Sequence, residues 1–235
     1  MLSCMPKNSP VAVITGASRG LGAALATSLA QQGWQLVVDA RNHHVLTETA
    51  PVGAVVVPGD VTDPAHRRLL AAEAARLGGA DLLVNNASTL GASPLPALAD
   101  IPVEVLDDVL FTNVVAPVAL IQELLPQLRA NGGRVLNISS DAAVEAYETW
   151  GGYGASKAAL DHVSRVLAAE EPTLRVYAVD PGDMRTQLHQ EAFPGEDISD
   201  RPEPETVVPA LLRLVTEDLP SGRYRAADLA LELAR

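Results

Sequence analysis

The chain is predicted to be an α/β protein built around one parallel sheet. Short, β-branched apolar runs alternate with longer Ala/Leu-rich segments of helical period, which is the signature of repeated βαβ units. The first of those runs leads directly into a glycine-rich turn that opens a helix. The length of 235 residues falls within the range of one α/β domain, and a hydrophobic content of 48% suffices for a sizeable core. A single domain over residues 1–235 is therefore expected.

Taken in order, the strand candidates are Val11–Thr15, Gln35–Asp39, Ala54–Val57, Leu82–Asn85, Arg134–Ile138, Arg175–Val179 and a short Arg223–Arg225. The first six are apolar runs in which Val recurs, a residue that suits a pleated, covered surface. Helices are expected near Gly22–Gln32, Pro64–Leu77, Val103–Arg129 with a break around Asn113, Gly152–Glu170 and Glu205–Asp218, with a surface helix carrying His43 and His44 after Arg41. The segment Met184–Pro204 is rich in Pro, Gly, Asp and Glu and reads as a mobile loop of about 184–204. The tail after the last strand is short. No fixed-period repeat or long linker divides the chain.

Composition excludes some functions. With 29 acidic and 17 basic side chains the formal charge is −12, which disfavours nucleic acid or an anionic membrane as partner. Cys4 is the only cysteine, so no intramolecular disulfide forms, in keeping with a reducing cytosol. Met1–Pro10 lacks the apolar core of a signal peptide, and no uninterrupted apolar run reaches membrane-spanning length. His43 and His44 have no third ligand at a suitable spacing, so no metal site is expected.

Two constellations carry chemistry. In Thr15-Gly16-Ala17-Ser18-Arg19-Gly20-Leu21-Gly22 the glycines let the backbone turn tightly, while the free N–H groups and positive dipole end of the helix attract a phosphate. A tight loop needing positive φ would use the same glycines, and the strand before and helix after are what favour nucleotide binding. No P-loop lysine follows, which disfavours a triphosphate hydrolase. The second constellation is Tyr153 with Lys157, four residues apart on one helix face, with the small residues Gly154, Ala155 and Ser156 between them. A free tyrosine ionises near pH ~10, and a neighbouring ammonium favours its charged form, so this pairing suits acid–base work.

The glycine turn, Asn85-Asn86-Ala87, Ser140, and Tyr153 with Lys157 together resemble the short-chain dehydrogenases/reductases, and the resemblance spans about residues 10–186. It implies a Rossmann-like doubly wound sheet of seven parallel strands with helices on both faces, and reversible hydride transfer between a nicotinamide cofactor and a carbonyl or alcohol. By that resemblance Tyr153 is the general acid, Ser140 orients the substrate oxygen, and Lys157 lowers the tyrosine pKa and holds the nicotinamide ribose. Asn113 anchors a water that relays protons through Lys157, although it could equally cap a following helix. Ser140 is preferred to Ser139 because it precedes Tyr153 by the family's spacing.

By the same resemblance the cofactor is held by Gly16, Ser18, Arg19, Gly20, Leu21 and Gly22 at the turn, by Asp60 and Val61 at the adenine, although a loop or helix N-terminal aspartate would look the same as Asp60, by Asn86 and Ala87 at the adenine ribose, by Tyr153 and Lys157, and by Pro181, Gly182 and Thr186 at the carboxamide. Ser88 stands where the family usually has glycine, and Asp180 where asparagine is common. NAD-dependent members place a carboxylate at the end of the second strand, a position that falls on Ala40; the guanidiniums of Arg41 and Arg19 favour the 2′-phosphate of NADP(H). Asp39 is the competing reading, in favour of NAD(H), but it lies one residue early and so faces the opposite side of the strand.

The substrate side draws on Val144, Tyr147, Trp150, Leu90–Leu95 and Met184–Phe193, a mostly apolar set that suits an uncharged, small-molecule carbonyl compound. A non-catalytic, dinucleotide-binding redox sensor or scaffold is the alternative, and it predicts lost catalytic residues. The resemblance also implies a homodimer or homotetramer, paired through the helices at Val103–Arg129 and Gly152–Glu170, while the single cysteine and the Met1–Pro10 stretch point to the cytoplasm.

Overall fold

The computed structural model describes residues 9–233, so Cys4, nearly all of the Met1–Pro10 stretch and the end of the tail lie outside the described residues. The strands are β1 (Val11–Ile14), β2 (Gln35–Ala40), β3 (Val55–Pro58), β4 (Leu82–Asn85), β5 (Arg134–Ile138), β6 (Arg175–Asp180) and β7 (Gly222–Arg225). The helices are α1 (Gly20–Gln31), α2 (His43–Thr49), α3 (Pro64–Arg76), α4 (Val103–Leu110), α5 (Ala116–Asn131), α6 (Gly151–Glu170), α7 (Gln187–Ala192), α8 (Val208–Thr216) and α9 (Ala226–Leu233).

All seven strands pair in parallel, in the order β3-β2-β1-β4-β5-β6-β7. Strand residues alternate between two cores, as a sheet covered on both faces requires. Ala12, Ile14, Leu36, Val38, Val84 and Tyr177 face Leu21, Leu25 and Leu29 of α1 and Leu211 and Leu214 of α8. Val11, Val13, Val37, Leu83, Val135 and Val176 face Leu70 and Ala74 of α3 and Leu120, Leu124 and Leu128 of α5. The chain reverses its winding between β1 and β4, and the crevice at the carboxyl ends of those strands is where such sheets bind ligands.

The helix expected to break around Asn113 runs on without a break. Phe111–Val115 forms one wider π turn between α4 and α5, and Pro117 is taken up in the first turn of α5. The continuous Val103–Asn131 helix is long and apolar enough to cross a membrane by length and composition; its apolar side packs on α3 and on the sheet. Two helices went unforeseen. The segment read as a loop contains α7, which Thr186 caps by accepting the His189 N–H at 3.2 Å, and the short tail contains α9, packed on α8.

Candidate active site

The glycine turn is shaped by close approach. Gly16 has φ +65°, and a Cβ there would lie 2.9 Å from Ala87 Cα. At Gly22 a Cβ would lie 2.5 Å from the Gly16 oxygen and 2.6 Å from Asn86 Nδ2. The Asn86 amide donates to the Thr15 and Gly16 carbonyls at 2.9 and 3.1 Å, and the Thr15 hydroxyl accepts from the N–H groups of Asn86 and Ala87. Helix α1 begins at Gly20 with no side-chain cap and no acidic residue in its first turn. Its N–H groups are thus available to an anion, and the packed glycines leave room for one, so these residues fit a dinucleotide phosphate.

From this turn a cleft of about 420 Å³ runs across the sheet ends to Tyr153. Within the ordinary size of a cofactor or ligand site, it is lined by Ser18, Arg19, Leu21, Arg41, Asp60, Val61, Asn86, Ala87, Ser140, Lys157, Pro181, Gly182 and Thr186. Arg19 and Arg41 are exposed there. Asp60 accepts from the N–H and hydroxyl of Thr62; partial burial pushes its carboxyl up, but those bonds outweigh it and hold the group below its ordinary value. Asp39 is only 1% exposed, and its carboxylate accepts the Gly16 N–H at 3.0 Å and lies 2.9 Å from His66 Nε2. A Cβ on Gly59 would overlap the His66 ring, so the glycine admits the imidazole.

At the far end stand the catalytic candidates. Tyr153 and Lys157 share one face of α6, with the ammonium 5.4 Å from the centre of the phenol ring. Gly154 lets α6 approach closely, since a Cβ there would lie 2.7 Å from the Ala142 oxygen. Burial pushes the Tyr153 phenol well above its ordinary value, opposed by the nearby hydroxyls of Ser88 and Ser140, while Asp141 and Asp180 push it further up. The sequence predicts a phenol lowered by Lys157; it is instead raised, by burial, and Lys157 is not among the groups that shift it. Burial also brings the Lys157 ammonium down to about 8, against the carboxylate of Asp161 one turn on, and Lys157 donates to the Ile138 carbonyl at 2.8 Å.

Ser140 and Ser139 end up in different surroundings. Ser140 lies by the phenol, donates to Asp141 Oδ1 at 2.9 Å and accepts the Ala142 N–H at 3.1 Å. The Ser139 hydroxyl is buried with no hydrogen-bond partner among the described residues. Asn113 is fully buried in the π turn and caps no helix. Its Oδ1 accepts from the Ser88 hydroxyl and the Thr89 N–H, and its amide donates to the Thr89 carbonyl and Ser156 Oγ. Asn85 stands apart from this cluster and donates to Asn137 in the sheet, which in turn donates to Ser164 of α6.

Two residues joined the site that the sequence had marked only as departures from a pattern. Ser88 lies beside the Tyr153 phenol and donates to Asn113. Asp180 accepts the Gly182 N–H at 2.9 Å and faces Arg223. On the substrate side, Trp150 stacks edge-on against Tyr153 with centroids 5.7 Å apart and meets Phe193 at 5.9 Å. Leu90, Leu95, Leu188 and Ala192 complete that apolar wall, while Val144 and Tyr147 are exposed at 62% and 47%. Among the described residues no group of three acidic, histidine or cysteine side chains could hold a metal.

The family model for short chain dehydrogenase matches residues 10–197. The chain belongs to that family. Among its relatives, short chain dehydrogenases and reductases alike, mouse sepiapterin reductase is 36% identical over 199 residues, covering 77% of this chain and 76% of that protein. Dehydrogenase/reductase SDR family member 4 of Bos taurus is 34% identical over 196 residues, covering 78% and 68%. A solved short chain dehydrogenase of Shigella flexneri, complexed with NADP, superposes with a TM-score of 0.86 at 28% identity over 94% of this chain and 98% of that one. This short chain dehydrogenase is accordingly an oxidoreductase of the family that uses NAD(P)(H) on small molecules.

Proposed function

We propose that the chain is an NADP(H)-dependent reductase of an uncharged ketone or aldehyde, working reversibly as a secondary alcohol dehydrogenase. The observation that carries this reading is the Tyr153 phenol, set beside Ser140 and Lys157 at the end of the cleft that begins at the glycine turn. Gly16, Ser18, Gly20, Leu21 and Gly22 would hold the cofactor pyrophosphate, Asp60 and Val61 the adenine, Asn86 and Ala87 its ribose, and Pro181, Gly182 and Thr186 the carboxamide. When bound, the reduced nicotinamide supplies the hydride.

Tyr153 gives its proton to the substrate oxygen, and its raised pKa keeps that proton in place across neutral pH. Ser140 holds the same oxygen. Lys157 brings a buried positive charge that offsets the developing phenolate and holds the nicotinamide ribose. Asn113, fixed by four hydrogen bonds, supports the water through which the proton is replaced. The Trp150 and Phe193 wall suits an apolar substrate body, with Met184–Pro204 as the loop that closes over it.

NADP over NAD is supported by charge. Arg19 and Arg41 are exposed beside the cleft, and Asp39, the carboxylate near the end of β2, is already committed to Gly16 and His66. Exposed Phe111, Val115 and Val166 on α4–α5 and α6 suit pairing into a homodimer or homotetramer, and the expected setting is the cytoplasm. The test is steady-state absorbance of NADPH and of NADH against a carbonyl panel, comparing the wild type with Tyr153→Phe. Turnover with NADPH and a loss of roughly 10²–10⁴-fold on removing the hydroxyl is expected; undiminished turnover in Tyr153→Phe would remove the proposed acid.

A further inference from the structure

Arg223 comes from β7, the edge strand, yet its guanidinium reaches behind the catalytic serine. Nη2 donates to the Ser140 carbonyl at 2.9 Å, Nε donates to Asp161 Oδ2 at 2.8 Å, and Nη2 stands 3.7 Å from Asp180 Oδ2. One cation thus ties together the end of β5, the middle of α6 and the end of β6. Asp161 lies one turn beyond Lys157 on the same helix, so the two are neighbours. It is 5% exposed, its Oδ1 has no hydrogen-bond partner among the described residues, and Arg223 supplies the hydrogen bond to its other oxygen.

Resting on the reading of Tyr153 and Lys157 given above, we infer that Arg223, acting through Asp161, is a positioning residue that holds the Ser140 backbone and sets the charge state of Lys157. A guanidinium presents its donors in a rigid planar fork and stays charged at any relevant pH, so it can brace a carbonyl and a carboxylate at once. Without it, neither oxygen of the buried Asp161 carboxylate would keep a hydrogen-bond partner among the described residues. Asp180, an aspartate where asparagine is common in the family, is accommodated by the same cation and by Arg225, its register partner on β7.

The charged and titratable groups around this pair come from every element packed there: Tyr153 and Asp161 on α6, Asp141 after β5, Asp180 on β6, and Arg223 and Arg225 on β7. Among them Asp161 is the one that acts directly on Lys157, favouring the ammonium. Removing Arg223 leaves that attraction unopposed and should raise the Lys157 pKa; removing the Asp161 charge should lower it.

The test is the alkaline limb of kcat for carbonyl reduction in the full-length enzyme, with the Kd of NADPH and a thermal melt on each variant. Arg223→Ala should lower kcat roughly tenfold and move the limb up by roughly 0.5–1 pH unit, and Asp161→Asn should move it down by a similar amount. Arg223→Lys, which keeps the charge but loses the fork, should fall between Arg223→Ala and wild type, with NADPH binding unchanged in all three. Shifts of opposite sign cannot come from general loosening of the fold. If Tyr153→Phe is inactive while the limb stays put in both charge variants, the inference is overturned. If Tyr153→Phe remains active, the underlying reading of the site fails instead. Should Arg223→Ala not fold, Asp161→Asn decides alone: a limb unmoved or moved upward overturns the inference.

Discussion

The Asp39 carboxylate and the His66 imidazole meet 2.9 Å apart under the glycine turn, both almost fully buried. Burial pushes the Asp39 carboxyl above its ordinary value, against the pull of His66 and of the Gly16 N–H. Removing one member of such a pair leaves the other without its partner in a dry site. His66→Ala should therefore cost roughly 3 kcal/mol of stability in urea unfolding, with the ratio of NADPH to NADH turnover unchanged. A changed ratio would mean that Asp39 reaches the cofactor.

Arg41 and Arg19 should carry the discrimination between the two nicotinamide cofactors. Losing the Arg41 guanidinium is expected to raise the KM for NADPH by roughly 10–100-fold, as for a charge-assisted contact of about 1.5–3 kcal/mol, and to leave the KM for NADH within about twofold. Initial rates of Arg41→Ala with each cofactor measure this.

The pH dependence of reduction follows from Lys157. Its ammonium, brought down to about 8 by burial, is charged below that pH and neutral above it, whereas the phenol of Tyr153 keeps its proton well beyond. The rate of carbonyl reduction should accordingly be flat near neutrality and fall as pH rises through about 8. Lys157→Met, which has no proton to lose, should show low activity and no such limb.

Ser88 offers a substitution back to the family's usual residue. Its hydroxyl donates to Asn113 Oδ1 at 3.1 Å and lies beside the Tyr153 phenol, so it can turn to donate to the phenolate once the proton has left. Ser88→Gly should lower kcat roughly fivefold with KM little changed, the effect of about 1 kcal/mol. A glycine variant as fast as the wild type would exclude the hydroxyl from catalysis.

Gly22 tests the cradle. A Cβ there meets the Gly16 oxygen and Asn86 Nδ2, both fixed by the backbone of the turn. Gly22→Ala should cost about 1–3 kcal/mol in stability and weaken NADPH binding measured by fluorescence titration, because relief of the clash must move the residues that face the phosphates.

Much of this was legible beforehand, and the reasons are local. Val11, Val13, Val37 and Val38 are β-branched residues in runs buried on both faces, so their strands stood out within one or two residues of the observed ends. Ser140, Tyr153 and Lys157 were found by spacing, and α6 and the turn after β5 do bring them to one cleft. The π turn was hidden because Phe111, Thr112, Asn113, Val114 and Val115 are weak helix formers, so that Asn113 reads as a break rather than as a widened turn. Helix α7 was obscured by the Pro, Gly and acidic residues that surround it. Asp39 lies in the lining of the cleft next to Arg41, and its contact with His66 was not foreseen, since His66 is 27 residues away on another element. Arg223 was seen only as part of a short strand, and no local pattern announces a side chain that reaches across the sheet to a carbonyl 83 residues earlier.

The exposure of Arg19 and Arg41 at the rim of the cleft has a consequence for how this protein can change. With the Asp39 carboxylate bound into the scaffold, the proposed NADP preference would rest on solvated charges, where counterions mute them and replacements disturb no core packing. Discrimination should therefore weaken as ionic strength climbs, and a lineage could trade one dinucleotide for the other through surface drift alone, its fold and its proton-transfer apparatus untouched.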